Sequence, residues 1–418
     1  MNRNVYILGT DSTRFQKWPD KSFKDLAGET YLAVLKDAGM ENGDEIEFAY
    51  FGNCAMNHWG QSFIRGQVCF VPLVEEGLFP ERVPIINVEG ACATASMAFH
   101  SAWKDILSGQ SDVTLAIGVE KIYMPDDKAT MFALFDEGID NFDREPTIQT
   151  YRQAAETCGR KFDPGPGRTI FMDTYAMQAC YHMWRYGTTQ RQIAMAASKN
   201  HYHGSLNPKA QYQFEVPLEK VLEDRPISYP LTRSMCAPVG DGAAAALLCS
   251  EDFLKSLPTN IQNRAVKIGA SVISGGKSRG FDEPSLSKVA ADRAYDMVGI
   301  GPMDINVAEV HDATSFCEVY QMEMMGFCPI GEGGKFVESG ATALDGKIPV
   351  NTSGGLVSKG HPIGATGLSM IYELVTQLRG EAGNRQVKNA VFALQENGGG
   401  VIGFEEAACS VVILQKDR

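Results

Sequence analysis

The chain has 418 residues, of which 44% are hydrophobic and 21% charged, and it carries a formal net charge of −13. That length exceeds one ordinary core and implies two or three lobes, with no low-complexity tract to interrupt them. The acidic balance argues against a general nucleic-acid binder, and no window reaches the roughly 20 apolar residues of a membrane span.

Met1-Asn2-Arg3-Asn4 runs directly into the apolar Val5–Leu8, without a signal-peptide pattern, so a cytoplasmic protein is expected. Val5–Leu8 reads as a strand, Phe23–Asp37 as a helix and Ile46–Gly52 as extended chain. Val83–Val88 is a short apolar run that meets Glu89-Gly90-Ala91-Cys92 and then a small-residue helix, Ala93–Leu107. Val113–Val119 is a further buried strand. The stretch 123–233 differs: it is rich in Asp, Arg, Tyr, Met and Pro and has weak strand signals, as a lid or substrate subdomain would. Asp241–Leu248 reads as a central strand whose alanines imply close neighbours.

Similar elements then recur. Ala265–Val272 is a strand and Ser285–Met297 a helix. Ile305–Val310 is a strand ending at His311-Asp312, followed by a helix over Phe316–Met325. Lys347–Asn351 is extended, Gly364–Leu378 is a helix opened by glycines, and Asn389–Leu394 and Ser410–Leu414 close the chain as strands. A strand ending in a polar residue and feeding a helix occurs at Cys92 and again near His311, which hints at internal duplication. The alternation favours a layered α/β fold.

Ten cysteines are scattered and none forms a CxxC pair, so zinc and iron–sulfur patterns are absent and no metal is expected. Cys92 stands apart by its setting. A helix N-terminus offers unpaired N–H groups and partial positive charge, which favour thiolate and can hold an oxyanion. A packing cysteine is the plain alternative. His361 lies in a loop with five glycines, 351–367, where an imidazole could take the proton of Cys92. His311 ends a buried strand and could donate to a developing enolate oxygen, while Asp312 could orient a neighbour or cap the next helix. Glu396 closes an apolar strand before Gly398-Gly399-Gly400, although a glutamate there is ordinarily a solvated turn residue.

His201-Tyr202-His203 has no carboxylate at metal-binding spacing, and Gly275-Gly276-Lys277-Ser278 lacks the first glycine of a P-loop. The Met and aromatic residues of 171–186 read as core or interface.

Together these segments resemble the thiolase superfamily over nearly the whole chain, and in particular its sterol-carrier-protein-linked and archaeal-type members. The carriers are Glu89-Gly90-Ala91-Cys92-Ala93-Thr94, the stretch Lys199–Gln211, Arg225-Pro226-Ile227-Ser228 through Asp241–Ala245, and Gly360-His361-Pro362-Ile363-Gly364-Ala365-Thr366-Gly367. Thiolases that cleave benzoylsuccinyl-CoA lie near this group. The resemblance implies a five-layered αβαβα fold from two similar halves, 1–122 with 234–262 and 263–418, and an inserted loop domain, 123–233, that holds coenzyme A. It implies a homodimer or dimer of dimers, and a small zinc-ribbon/OB-fold protein as a partner. Coenzyme A is a substrate, and no cofactor is permanently bound.

By that resemblance Cys92 carries the acyl group and His361 activates it. His311 and His361 form one oxyanion hole, and the N–H groups of Cys92 and Gly398 form the other. The chain departs from the family at the second acid/base cysteine: one usual position holds Glu396 and the other, two residues after His311, holds Ala313. Glu396 is therefore expected to move the proton at the substrate α-carbon. The activity implied is cleavage of a 3-oxoacyl-CoA by free CoA, with a bulky, aromatic or carboxylated acyl group. The alternatives are a retro-aldolase acting on a hydroxyacyl-CoA, ketoacyl synthase chemistry, for which no acyl-carrier-protein signature is seen, and a non-catalytic scaffold.

Overall fold

A computed structural model describes residues 3–165 and 167–416. The strands are β1 Val5–Ser12, β2 Phe48–Gly52, β3 Ile85–Val88, β4 Val113–Glu120, β5 Pro226–Ser228, β6 Leu231–Thr232, β7 Gly242–Ser250, β8 Val266–Gly275, β9 Val307–Glu309, β10 Phe392–Gly399 and β11 Ala408–Gln415. Nine of them form one hydrogen-bonded sheet in the order β3-β2-β4-β7-β1-β8-β11-β10-β9.

The order is a duplication written outward from the middle. β1 and β8 meet antiparallel through Tyr6↔Lys267 and Ile7↔Val266. On one side β1 pairs with β7 and β7 with β4, both antiparallel, then β4 with β2 and β2 with β3, both parallel. On the other side β8 pairs with β11 and β11 with β10 antiparallel, and β10 with β9 parallel. A single parallel bridge, Ala308↔Val350, stands where β3 stands in the first half. The extended segment expected at Lys347–Asn351 is reduced to that bridge. The internal equivalence also differs from the sequence hint. Cys92 follows β3, so its counterpart is the loop after Val350 that carries His361, whereas His311 follows β9 and belongs with the segment after β2.

Five layers result. The Thr94–Ser108 and Thr366–Arg379 helices pack together at the centre, where Phe99, Trp103, Leu368 and Leu374 share a core with inward residues of both half-sheets. The Phe23–Ala38 and Arg65–Glu75 helices cover the outer face of the first half. The Leu286–Val298 and Ser315–Met324 helices cover that of the second. The alanines of β7 follow from this sandwich: Ala244 and Ala246 face the central helices while Ala243 and Ala245 face the outer ones, and neither side has room for larger groups.

Between β4 and β7 the chain is largely helical, with Glu145–Thr157, Ile170–Tyr186 and Gln190–Ser205 built around their own core, which Phe316 of the second half joins. His201 and His203 lie on the last of these helices and bond carbonyls of Ser234 (3.1 Å) and Asn351 (3.0 Å), as packing histidines do. No helix among the described residues is long and apolar enough to cross a membrane.

Candidate active site

The nucleophile turn comes first. Cys92 sits in a 3-10 turn, Ala91–Ala93, that leads into the Thr94–Ser108 helix. Ala91 has φ 50°, a left-handed conformation uncommon for a residue with a Cβ. Local bonds hold it: the N–H of Ala91 donates to Glu89 (2.6 Å), that of Gly90 to the Thr94 hydroxyl (2.9 Å), and that of Ala93 to the Gly90 carbonyl (3.0 Å). The end of β10 closes against this turn. A Cβ on Gly399 would lie 2.4 Å from the Ala93 nitrogen and 2.9 Å from that of Cys92, so only glycine lets the strand approach.

His361 arrives from the other half. Its Nε2 lies 3.2 Å from Cys92 Sγ, and its Nδ1 lies 2.7 Å from the Thr366 hydroxyl. That hydroxyl also reaches the Pro362 carbonyl at 3.0 Å. With its single proton on the carbonyl, Thr366 accepts Nδ1–H, and Nε2 is left bare to accept from the thiol. The five-residue spacing from His361 to Thr366 is the signal in the sequence for this partner.

The loop carrying His361 is tied to the end of β9. Asp312 accepts the Leu356 N–H (2.6 Å) and an Asn200 amide (2.8 Å), so it anchors the loop and does not cap the following helix. Glu309 accepts the Ser353 N–H at 3.0 Å and pairs with Lys359 at 3.5 Å. Glu120 joins the halves by accepting N–H groups of Cys54, Ala55 and Gly364 (2.9, 3.1 and 3.2 Å), and burial lifts its carboxyl to about 7.

His311 completes the cluster. Its ring lies 5.2 Å from that of His361 at 66°. The residue is 1% exposed, and among the described residues neither ring nitrogen has a hydrogen-bond partner. Burial drives its pKa down to about 4, so the imidazole is neutral. His361 is pushed well below its ordinary value by burial, then by His311 and Lys359.

The Cys92 thiol moves the other way from the sequence expectation. Burial, and then the charge of Glu406, raise it to about 12, and the N–H groups of Cys92 and Gly400 only partly offset this. The resting pair is neutral thiol and neutral imidazole, because desolvation penalises both ions. Alkylation of Cys92 by iodoacetamide in the substrate-free protein is therefore expected to rise about tenfold per pH unit from pH 7 to 10. Peptide mapping would follow it, and a plateau near neutrality would sink the assignment.

Two expectations for the glycine strand are displaced. The N–H that reaches the Cys92 sulfur beside its own is that of Gly400, while Gly398 lies within the ladder opposite Cys409. Glu396 faces away from the central helices. Ala393 is an inward residue and Leu394 an outward one, so Gln395 and Asn397 point inward, where both bond Ser96 (2.6 and 2.8 Å), and Glu396 points outward. Its carboxyl accepts the His311 backbone N–H at 3.0 Å and contacts Ser287 and Cys409 at 3.4 Å. Burial, with Glu406 second, lifts it to about 8.

Glu406 is the residue that sequence reasoning missed. It is 8% exposed, and its side chain folds over Gly398, where a Cβ would lie 2.8 Å from its Cγ. Arg279 fixes the turn by pairing with Glu405 (3.3 Å) and donating to the Phe404 carbonyl (2.9 Å). Burial raises the Glu406 carboxyl, and no other charge weighs more on Cys92. Its only sequence signal is an acidic pair soon after the glycine run, which reads as solvated.

Cys92 and His361 open into a cavity of about 190 Å³ walled by Phe132, Met172, Tyr175 and Tyr212, with Arg225 and Arg233 farther round its wall. Tyr212 and Arg233 also line a cavity of about 510 Å³ together with Lys220, the exposed Phe214 and the buried His201, whose ring lies near-parallel to those of Tyr212 and Phe214.

Residues 5–225 match the family described as Thiolase, N-terminal domain, and residues 284–415 match Thiolase C-terminal domain-like. An acetyl-CoA acetyltransferase of Methanothermobacter thermautotrophicus is 35% identical over 406 residues, covering 96% of this chain and 97% of its own. Sterol carrier protein 2 of Homo sapiens is 35% identical over 430 residues, covering 98% of this chain and 74% of its own. Benzoylsuccinyl-CoA thiolase subunit BbsB of Thauera aromatica is 32% identical over 394 residues, covering 93% and 92%. Among solved structures, the Ltp2-ChsH2(DUF35) aldolase superposes with a TM-score of 0.76 at 21% identity over 99% of this chain and 98% of that one. Human mitochondrial 3-ketoacyl-CoA thiolase gives 0.69 at 17% over 100% and 99%.

Proposed function

The chain belongs to the thiolase family, and from that premise we propose that it cleaves a 3-oxoacyl-CoA with free CoA through an acyl-Cys92 intermediate. The observation that carries this is the 3.2 Å approach of a bare His361 Nε2 to Cys92 Sγ at the floor of an apolar cavity. His361 takes the thiol proton as sulfur attacks the 3-oxo carbon. The alkoxide that forms is held by the N–H groups of Cys92 and Gly400. As it collapses, the C–C bond breaks and the departing thioester enolate is held by His311 and His361. Glu406, whose carboxyl burial raises toward the range of a proton donor, delivers the proton to the enolate α-carbon. Free CoA, giving its thiol proton to Glu406, then attacks the acyl carbonyl carbon, and Cys92 leaves with the proton held by His361. In this reading Glu396 is a positioning residue, which holds the His311 backbone from behind.

The two cavities, which share Tyr212 and Arg233, suit coenzyme A in chemistry: apolar walls for the pantetheine arm, and aromatic rings with Arg233 and Lys220 for a phosphorylated nucleotide. The open edge of β3, with Ile86 46% exposed, is the edge at which a second copy would pair. A small zinc-ribbon/OB-fold partner belongs to the same proposal, because the aldolase neighbour is named together with ChsH2(DUF35). That neighbour also prompts a second reading, cleavage of a hydroxyacyl-CoA without an acyl-enzyme. Labelled 3-oxoacyl-CoA separates the two. The thiolase reading expects label on Cys92 that chases with CoA, whereas cleavage independent of CoA with unlabelled Cys92 would establish the lyase.

A further inference from the structure

Three side chains that converge for acyl transfer also satisfy a different chemistry. Cys92 Sγ and ring nitrogens of His311 and His361 all lie within 4.8 Å of one another. The first pair is already at 3.2 Å. In a tetrahedral zinc site with Zn–S about 2.3 Å and Zn–N about 2.0–2.1 Å, neighbouring ligand atoms sit roughly 3.3–3.6 Å apart. A movement of about 1 Å by the His311 ring closes the remaining gap. His311 is the second, independent sign of a ligand: it is 1% exposed, and both its ring nitrogens lack partners among the described residues. Buried imidazole nitrogens left this way lose hydrogen bonding unless something enters the site.

The surroundings fit a cation as well. Thr366 holds His361 Nδ1, which fixes the ring and directs Nε2 inward, the outer-shell arrangement that zinc-bound histidines have. Glu406 and Glu120 both act on Cys92 electrostatically, and each supplies negative charge near the cluster when it is ionised. Cys92 and His361 line the cavity, and among the described residues the cluster offers three ligands, so the site fits a three-ligand open centre and not a closed four-ligand one.

We infer that the Cys92–His311–His361 cluster is a binding site for a thiophilic divalent cation, with Zn²⁺ the best match, and that occupancy shuts the nucleophile off from thioesters. Binding is a ligand exchange without redox change. Cys92 gives its thiol proton to solvent as the metal–sulfur bond forms, each histidine donates one lone pair, and a water fills the fourth position. The inference needs only the three side chains and does not depend on which thioester the protein turns over.

The test uses the full-length protein after chelator treatment, titrated with Co²⁺ as a coloured substitute for Zn²⁺ and followed by absorbance. The expected result is one equivalent showing a thiolate-to-cobalt charge-transfer band, displaced by Zn²⁺. The band should vanish in Cys92→Ser and in wild-type protein alkylated at Cys92, and affinity should fall by about 100-fold or more in His311→Asn, since a direct ligand costs more than the outer-shell range. Circular dichroism would establish that the variants are folded, and the alkylated wild type covers the case in which one is not. Absence of the band, or a band unchanged after alkylation of Cys92, would overturn the inference. Because the readout is binding, an inactive protein that shows the band keeps the metal site and loses the thiolase reading. An active protein without the band does the reverse.

Discussion

Cys92→Ser is expected to lower CoA-dependent cleavage by more than about 1,000-fold, and adding His361→Ala to the same chain should cost less than about tenfold more. The reason is geometric. His361 Nε2 acts first on the sulfur 3.2 Å away, and when that atom is a poorly acidic hydroxyl no enolate is released for the ring to hold afterwards. A double-mutant cycle in kcat/KM measures this. Losses that multiply would mean that the two residues act at different steps. Thr366→Val should mimic part of the His361 loss, because Nδ1–H would no longer have its acceptor and the bare nitrogen could turn away from the sulfur.

Glu406→Gln is expected to lower kcat by about 100- to 10,000-fold, the range of general acid–base catalysis, while Glu396→Gln lowers it less than about tenfold. The two carboxyls interact electrostatically, yet their surroundings differ. Glu396 is engaged by the His311 N–H, Ser287 and Cys409, whereas Glu406 packs on Gly398 and weighs electrostatically on Cys92. Exchange of solvent deuterium into the α-carbon of an acyl-CoA is the readout that a structural role would not move. It should be lost in Glu406→Gln and kept in Glu396→Gln, and the opposite pattern would return the role to Glu396. Glu396 has its own signature in stability. Its folded carboxyl is raised to about 8, above the ordinary carboxylate value of 4.5. It therefore contributes stability that is complete below about pH 4.5 and is lost as pH rises through 8. Glu396→Gln should flatten the corresponding fall in Tm.

The sequence was informative wherever function demands a local pattern. The strand, sharp turn and small-residue helix around Cys92 are read from neighbouring residues, because close backbone approach requires Gly90, Ala91 and Ala93 themselves. The loop of His361 is legible for the same reason: its glycines and the histidine lie in one run. The order of strands and helices was likewise visible, since each element shows its own periodicity, although β10 and β8 end at Gly399 and Gly275, beyond the apolar runs expected for them.

What the sequence determined by itself was the set of reactive groups: one cysteine at a strand-to-helix turn, two histidines at the ends of buried segments, and a glycine run to close on them. What only the tertiary structure decided was how those groups face one another and how they are charged. The face of Glu396 depends on strand register, and the approach of Glu406 on a turn held by Arg279, some 127 residues away in the chain. The raised thiol of Cys92 depends on burial by both halves at once. Direction, distance and desolvation belong to the packed molecule, because each is set by atoms that are remote in sequence.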